Sequence, residues 1–163
     1  MDKHEKYVND KTMEAYGKYL RGEYFEKVRA VIIKDDKIAF IKDLKTNKVT
    51  IPGGGVDQGE SIEQACKREA LAESGFEVNP IMPVASNEYE IKLNIGSIDF
   101  VSKRIEYFYI CEFVKNTKKA DLGLDGEYEG NVEVFFDSVD KLSQYYKIDQ
   151  NTIEQVKKYI ENK

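Results

Sequence analysis

The chain has 163 residues and a formal net charge of −5 at pH 7. This length is enough to bury one hydrophobic core, and we expect a single domain over residues 1–163. Hydrophobic residues make up 41% and aromatic residues 12% of the chain, which is typical of a globular rather than a disordered protein. The acidic balance weighs against general binding to nucleic acids or anionic membranes.

The two cysteines, Cys66 and Cys111, show no spacing typical of a disulfide framework or a zinc site. We expect both to be small buried thiols in a reducing compartment. Residues 1–11 lack the apolar stretch of a signal peptide, and no apolar run reaches the length of a membrane span. We therefore expect a cytoplasmic protein that does not bind membranes.

Residues 1–25 are polar and form, we expect, a helical N-terminal extension. Apolar side chains recur at helical spacing within residues 9–20, which predicts a helix there. The only histidine, His4, lies at the terminus, where chains are usually poorly ordered, so we do not expect it to be catalytic.

The next segments predict strands. Residues 27–34 and 37–41 are rich in β-branched and aromatic side chains and flank Asp35 and Asp36, which predicts a hairpin. After a second turn near Asn47, residues 49–51 predict a short strand that leads directly into three glycines at 53–55.

A helix following these glycines can be delimited by residue type. Ser61 is a favoured N-cap, Gln64 completes a capping box, and Gly75 suits the left-handed position after the last turn. Glu69 and Glu73 lie four residues apart and therefore share one face. Paired carboxylates are suitable ligands for Mg²⁺, although such pairs also occur on solvated surface helices.

Further strands are predicted at residues 76–84, 88–93 and 104–114, with a turn at 94–97. The last of these is the most apolar segment and is predicted to be central in the sheet. Glu106 and Glu112 share one side of it and would point either into the cleft or out to solvent. We expect solvent, because Glu is rarely buried unless it is paired.

A polar loop is predicted at residues 115–130, followed by a strand at 132–136. Residues 137–163 predict two C-terminal helices. The first would be capped at 137–138, and the second would begin with a capping box formed by Thr152 and Gln155.

The glycines and the following helix form one long pattern of fixed spacing. In order it contains Gly54, five residues, Glu60, seven residues, Arg68-Glu69, three residues, Glu73, one residue, and Gly75-Phe76. This resembles the signature box of the Nudix hydrolases, Gly-x5-Glu-x7-Arg-Glu-U-x-Glu-Glu-x-Gly-U, where U is a bulky apolar residue. The predicted order of strand, glycine loop and helix is the context that the box requires.

The resemblance implies an α/β fold, namely a Nudix-type α/β/α sandwich with a mixed β-sheet, carrying the extra N-terminal helix and the C-terminal helices. It also implies hydrolysis of a nucleoside diphosphate linked to another group, with Mg²⁺ or Mn²⁺ as cofactor and a small nucleotide-type molecule as substrate. Glu69 and Glu73 would bind the metal together with the backbone carbonyl of Gly54. Glu60 would lie near the metal, either as a ligand through water or as a partner of Arg68, and Arg68 would hold the carboxylates in position.

A further carboxylate from a late loop or strand commonly joins the site in this family. Glu133, which precedes an aromatic strand, is the best match for a residue that activates water, and Glu127 and Glu129 are the alternatives. All three could also be ordinary charged residues of a loop, without a catalytic role.

The chain departs from the box at Ala72, where the family carries the first of two adjacent glutamates, and at the small Ala70. In the family that glutamate often binds metal. A second hypothesis is therefore a catalytically weakened domain that binds a nucleotide as a sensor or a partner module. The substrate stays open: an RNA 5′ end is disfavoured by the acidic balance but is kept as an alternative, and a homodimer is a further open expectation.

Overall fold

The computed structural model describes residues 2–118 and 132–163, except for the side chain of His4. In chain order its elements are α1 (Lys3–Leu20), β1 (Phe25–Lys34), β2 (Lys37–Asp43), β3 (Val49–Thr50), β4 (Gly53–Gly55), α2 (Ile62–Ser74), β5 (Phe76–Ile95), β6 (Ile98–Asn116), β7 (Val132–Ser138), a 3₁₀ turn (Val139–Lys141), α3 (Leu142–Tyr145) and α4 (Gln150–Glu161).

Seven strands within these ranges form one mixed sheet. Its main path runs β3-β2-β1-β6-β5, with β4 paired to β1 and β7 paired to β2. β1 and β6 are parallel, and the other pairs are antiparallel. β1 has neighbours along both edges, and its residues 28–33 are all buried, as expected for a strand covered on both faces.

Helices cover both faces of the sheet. On one face, α2 places Ala65, Cys66 and Ala70 against Val28 and Ala30 of β1. On the other face, the C-terminal elements contribute Leu142, Ile153 and Val156 to a cluster with other residues of β1, β2 and β6. The predicted α/β/α sandwich with a mixed sheet is therefore confirmed.

The N-terminal helix packs over the end of the sheet that β5 and β6 extend. Ala15 lies against Phe25 and Phe100 in a third, smaller apolar cluster. The helix begins at Lys3, six residues before the start that apolar spacing predicts, and Asp2 caps it by accepting a hydrogen bond from the Glu5 amide at 2.7 Å. Lys3, Glu5 and Lys6 are exposed, so this first part of the helix lacks the apolar spacing on which the prediction rests.

Several boundaries differ from the prediction. The two strands expected within residues 76–93 are one strand, β5, in which irregular register near Pro80 and Pro83 accommodates residues that lack an amide proton. The polar loop starts later than predicted, because β6 extends to Asn116.

The capping box predicted at Thr152 is wrong. α4 begins three residues earlier, and Asp149 is its N-cap, accepting a 2.8 Å hydrogen bond from the Thr152 amide. The helix predicted after residue 138 is a 3₁₀ turn followed by the four residues of α3, and the Ser138 side chain caps the turn.

Cys66 and Cys111 are both buried free thiols in the cluster beneath α2, as predicted. In the part of the chain that the structure describes, no helix combines the length and the apolar character needed to cross a bilayer.

Candidate active site

α2 has the limits that its end residues predict. The Ser61 hydroxyl accepts a hydrogen bond from the Gln64 amide at 3.1 Å, and the Gln64 side chain accepts one from the Ser61 amide at 2.8 Å. At the other end, Gly75 adopts a φ of 76° and its amide donates to Leu71. The capping residues therefore fix which turns of α2 carry the carboxylates.

The glycines before α2 are held as a short strand in the sheet. β4 pairs with β1 so that Gly54 lies opposite Val28 and Gly53 opposite Arg29. A Cβ atom on Gly53 would lie 2.1 Å from the Val28 carbonyl oxygen, and one on Gly54 would lie 2.7 Å from Oε1 of Glu69. Only glycine allows the backbone to approach both the sheet and the Glu69 carboxylate this closely.

Arg68 ties the loop to the helix. Its guanidinium donates from Nε and Nη2 to the two oxygens of Glu60 at 2.8 and 2.9 Å, from Nη1 to Glu69 at 2.5 Å, and from Nη2 to the Gly55 carbonyl at 2.8 Å. The hydrogen bond from Arg68 also lowers the pKa of Glu60. This fork geometry suits an arginine that positions carboxylates.

Glu69 and Glu73 emerge one turn apart and are both buried, with exposed fractions of 8% and 1%. Ala72, between them, is half-buried. Burial acts to lower the pKa of Arg29, and the charge of Glu73 is one of the contributions that raise it. The helix thus directs two carboxylates inward beside the glycine strand.

The resemblance to the Nudix hydrolases implies a divalent metal ion. The oxygen atoms that the described residues offer can be compared with the ligands such an ion needs. Within residues 2–118 and 132–163, no group of three or more His, Cys, Asp or Glu side chains is arranged as a metal site. The residues present are two buried carboxylates, Glu69 and Glu73, and the backbone of Gly54 against Glu69. Mg²⁺ is commonly held by one or two carboxylates, together with waters and substrate phosphates, so this set fits such an ion.

Behind the glycine strand lies a buried ion pair that the sequence reading did not anticipate. Nε of Arg29 donates to Oε2 of Glu106 at 2.9 Å, and Nη1 donates to the Ile51 carbonyl at 3.2 Å. The prediction that Glu106 faces solvent is therefore wrong, because a partner on the adjacent strand allows its burial.

Tyr146, just after α3, lies beside the same ion pair of Arg29 and Glu106. Its hydroxyl accepts a 2.9 Å hydrogen bond from the Ile51 amide, and the Arg29 guanidinium lies 5.7 Å from its ring centroid. One sequence signal could have revealed the ion pair. Arg29 interrupts the apolar run of residues 28–33, and a buried cation requires a partner.

The structure places Glu133 on β7, opposite Lys42 of β2, with an exposed side chain. Its neighbour Val134 packs with the cluster beneath α2, so Glu133 alternates toward the other face of the sheet. The described part of the chain contains no hydrogen bond or ion pair between Glu133 and the box, and its role stays a prediction. The alternatives, Glu127 and Glu129, lie outside the described residues.

Taken together, the described residues place two buried carboxylates of α2 beside the glycine strand, and oxygen donors of this kind suit a hard cation. Arg68 fixes one of these carboxylates, and Arg29 places positive charge near the other. Such an arrangement suits the binding and hydrolysis of a phosphate anhydride.

Comparisons with known proteins agree with the fold. The model of the NUDIX domain family matches residues 24–158. The chain is similar in fold to a UDP-X diphosphatase, with a TM-score of 0.54 and 18% identity over 85% of this chain. It spans 63% of the length of that protein.

Two further solved structures are matched over more of their own length. An ADP-ribose pyrophosphatase from Streptococcus suis shows a TM-score of 0.54 and 22% identity over 85% of this chain and 90% of that chain. A MutT NUDIX hydrolase from Burkholderia pseudomallei shows a TM-score of 0.55 and 20% identity over 82% of this chain and 98% of that chain. No curated protein sequence matches the chain.

The structural similarities establish the fold, and the family model covers most of the chain, including β4, α2 and the box between Gly54 and Phe76. The chain therefore belongs to the NUDIX family of hydrolases.

Proposed function

We propose that this protein is a metal-dependent hydrolase of a pyrophosphate bond in a nucleoside diphosphate linked to another group. The observation that carries the proposal is the contact between the Gly54 backbone and the Glu69 carboxylate, with Arg68 bonded to Glu69, Glu60 and the loop. A surface helix with chance carboxylates would not bury them against a glycine strand.

Each residue has a distinct part in this proposal. Glu69, Glu73 and the Gly54 carbonyl would hold Mg²⁺ or Mn²⁺, and Glu60 would support the site through Arg68. When bound, the ion would neutralise phosphate charge and lower the pKa of a water molecule. Arg68 is always protonated and keeps Glu69 in one orientation, so the carboxylate need not reorganise when substrate arrives.

Glu133 is the proposed base that accepts the proton of the attacking water, with Glu127 and Glu129 as alternatives, although the strand alternation that turns Glu133 to the face away from α2 does not itself support the first choice. The attacking oxygen forms a bond to one phosphorus while the bridging oxygen departs with the other phosphate. Hydrolysis therefore yields two phosphate-bearing products. One is a nucleotide, and the other carries the remaining phosphate together with the attached group.

A second candidate function is nucleotide binding without turnover. It is favoured by Ala72, which leaves α2 one carboxylate short of the family pattern, and by the two-carboxylate set that the described residues present. The two functions share a ligand class and differ in whether the anhydride is cleaved.

The test is a panel of nucleoside triphosphates, ADP-ribose, NADH, nucleotide sugars, dinucleoside polyphosphates and a 5′-triphosphorylated RNA, assayed with Mg²⁺ and with Mn²⁺. Glu69→Gln and Glu73→Gln are compared with Glu77→Gln, an exposed carboxylate just beyond the helix. We expect turnover of at least one compound and a loss of at least about 100-fold in the first two variants only. Absence of turnover throughout, with nucleotide binding retained, would select the binding module.

A further inference from the structure

Cations around the glycine strand are generally paired with carboxylates. Arg29 is bonded to Glu106, and Arg68 to Glu60. A third cation, Lys11 of the N-terminal helix, lies 3.6 Å from Asp57 in the loop after β4. Their charges are therefore already balanced by groups of the protein.

Arg104 of β6 is different. No carboxylate oxygen of the described residues lies within 4.0 Å of its guanidinium. The polar contact that the structure gives it is a long hydrogen bond from Nε to the hydroxyl of Ser102, at 3.3 Å. A half-buried guanidinium carries five donors, so most of its hydrogen-bonding capacity is not used by the described protein groups.

Phe25 places this guanidinium at the edge of the site. The Arg104 Cζ atom lies 4.5 Å from the centroid of the Phe25 ring. Cε1 of the same ring lies 3.3 Å from the position that a Cβ on Gly55 would occupy. Arg104 and the glycine strand therefore both lie against the Phe25 ring, and Gly55 is the residue whose carbonyl binds Arg68.

The electrostatic surroundings of Arg104 agree with the lack of a bonded carboxylate among the described residues. Burial lowers the pKa of Arg104, and the charges of Tyr89 and Glu14 offset this only in part. Arg29 and Arg68, whose carboxylates are in hydrogen-bond contact, have raised pKa values instead. Partial desolvation of a cation without a bonded anion costs free energy, which a bound anion would recover.

We propose that Arg104, which lies over the Phe25 ring, binds a phosphate group of the substrate and fixes the nucleoside diphosphate beside the glycine strand. This rests on the proposed function for the class of ligand. The planar guanidinium can donate two parallel hydrogen bonds to phosphate oxygens, which a lysine at the same place could not reproduce. Arg104 would thus contribute to substrate affinity and orientation and would not take part in metal binding.

The experiment measures equilibrium binding of ADP, inorganic pyrophosphate and adenosine by calorimetry in EDTA, so that neither hydrolysis nor metal binding contributes. Arg104→Gln and Arg104→Lys are compared with Lys103→Gln, whose exposed side chain lies on the opposite side of the same strand. We expect Arg104→Gln to weaken ADP and pyrophosphate binding by about tenfold or more, with Arg104→Lys intermediate and Lys103→Gln unchanged. Weak adenosine binding should be the same in all four proteins.

A purely structural role for Arg104 on Phe25 predicts a different result. Urea unfolding of Arg104→Gln would then show lower stability, while the folded variant would bind ADP as tightly as the wild type, and this would overturn the proposal. Failure of the wild type to bind either ADP or pyrophosphate would overturn it as well. Arg104-dependent binding without turnover of any panel compound would support it and refute only the hydrolytic function.

Discussion

Arg29 and Glu106 form a 2.9 Å ion pair across adjacent parallel strands, with only 8% and 11% of their side chains exposed. Arg29 is also bonded to the backbone that leads into the glycine strand. The pair therefore links the interior of the sheet to the candidate site.

Removing one partner should be much more harmful than removing both. We expect Arg29→Met to lower the free energy of unfolding by about 3–5 kcal/mol, because Glu106 is left buried without its cation. The double variant Arg29→Met/Glu106→Leu should recover most of this loss. Urea denaturation at pH 7 provides the measurement, and Arg21→Met, which breaks an exposed pair with Glu23, is the control. The prediction would be contradicted if Arg29→Met lowered the free energy of unfolding by no more than Arg21→Met does.

Tyr146→Phe tests the second link to the glycine strand. The variant keeps the ring but removes the hydroxyl that accepts the Ile51 amide, and an unsatisfied buried amide costs about 1–3 kcal/mol. Thermal and urea unfolding should both show the loss. The adjacent Tyr145→Phe, at an exposed ring, should be nearly neutral. Equal stability of the two variants would mean that water replaces the hydroxyl without cost.

Ala72→Glu restores the carboxylate that the family pattern has at this position. If Glu69 and Glu73 hold the ion, an added carboxylate on the same helix face should tighten Mn²⁺ binding by about tenfold or more. Calorimetry with Mn²⁺ alone measures this without dependence on a substrate. Leu71→Glu adds the same charge at an exposed neighbouring position and should change the affinity little. A similar gain in both variants would indicate general electrostatic attraction instead of coordination.

The ion pair between Glu60 and Arg68 should make the free energy of unfolding depend on pH in the acidic range. The hydrogen bond from Arg68 lowers the pKa of Glu60 below its ordinary value of 4.5. The stabilising contribution is therefore complete above that value and is lost as the pH falls through the lower pKa of the folded state. We expect the difference in unfolding free energy between wild type and Glu60→Gln to be constant from pH 7 to about pH 5 and to shrink below it. A difference that does not change down to pH 3 would refute this assignment.

Local chemistry predicted the limits of α2 well. Ser61, Gln64 and Gly75 determine both ends of the helix by residue type, so the placement of Glu69 and Glu73 on one face of it followed directly. The strand before the glycines was predicted for a similar reason, since short-range alternation and turn residues determine it.

What the sequence alone did not predict depends on contacts between distant residues. Glu106 and Arg29 are 77 positions apart, and nothing local to Glu106 indicates that a cation from a parallel strand neutralises it. The start of α4 was misplaced because Asp149 and Thr152 are both suitable caps by residue type, and the two readings differ by a single turn.

The pairing of β4 with β1 has a consequence for the timescale on which the site can move. The Ala30 amide donates to the Pro52 carbonyl at 2.7 Å, and the Val56 amide donates to Glu26 at 2.9 Å, so hydrogen bonds flank the glycines on both sides. Displacing the Gly54 carbonyl would require opening this ladder along a strand that also pairs with β6 through its whole length. These amide protons should therefore exchange with solvent only through large, infrequent openings, and the geometry around Glu69 should persist for as long as the sheet itself.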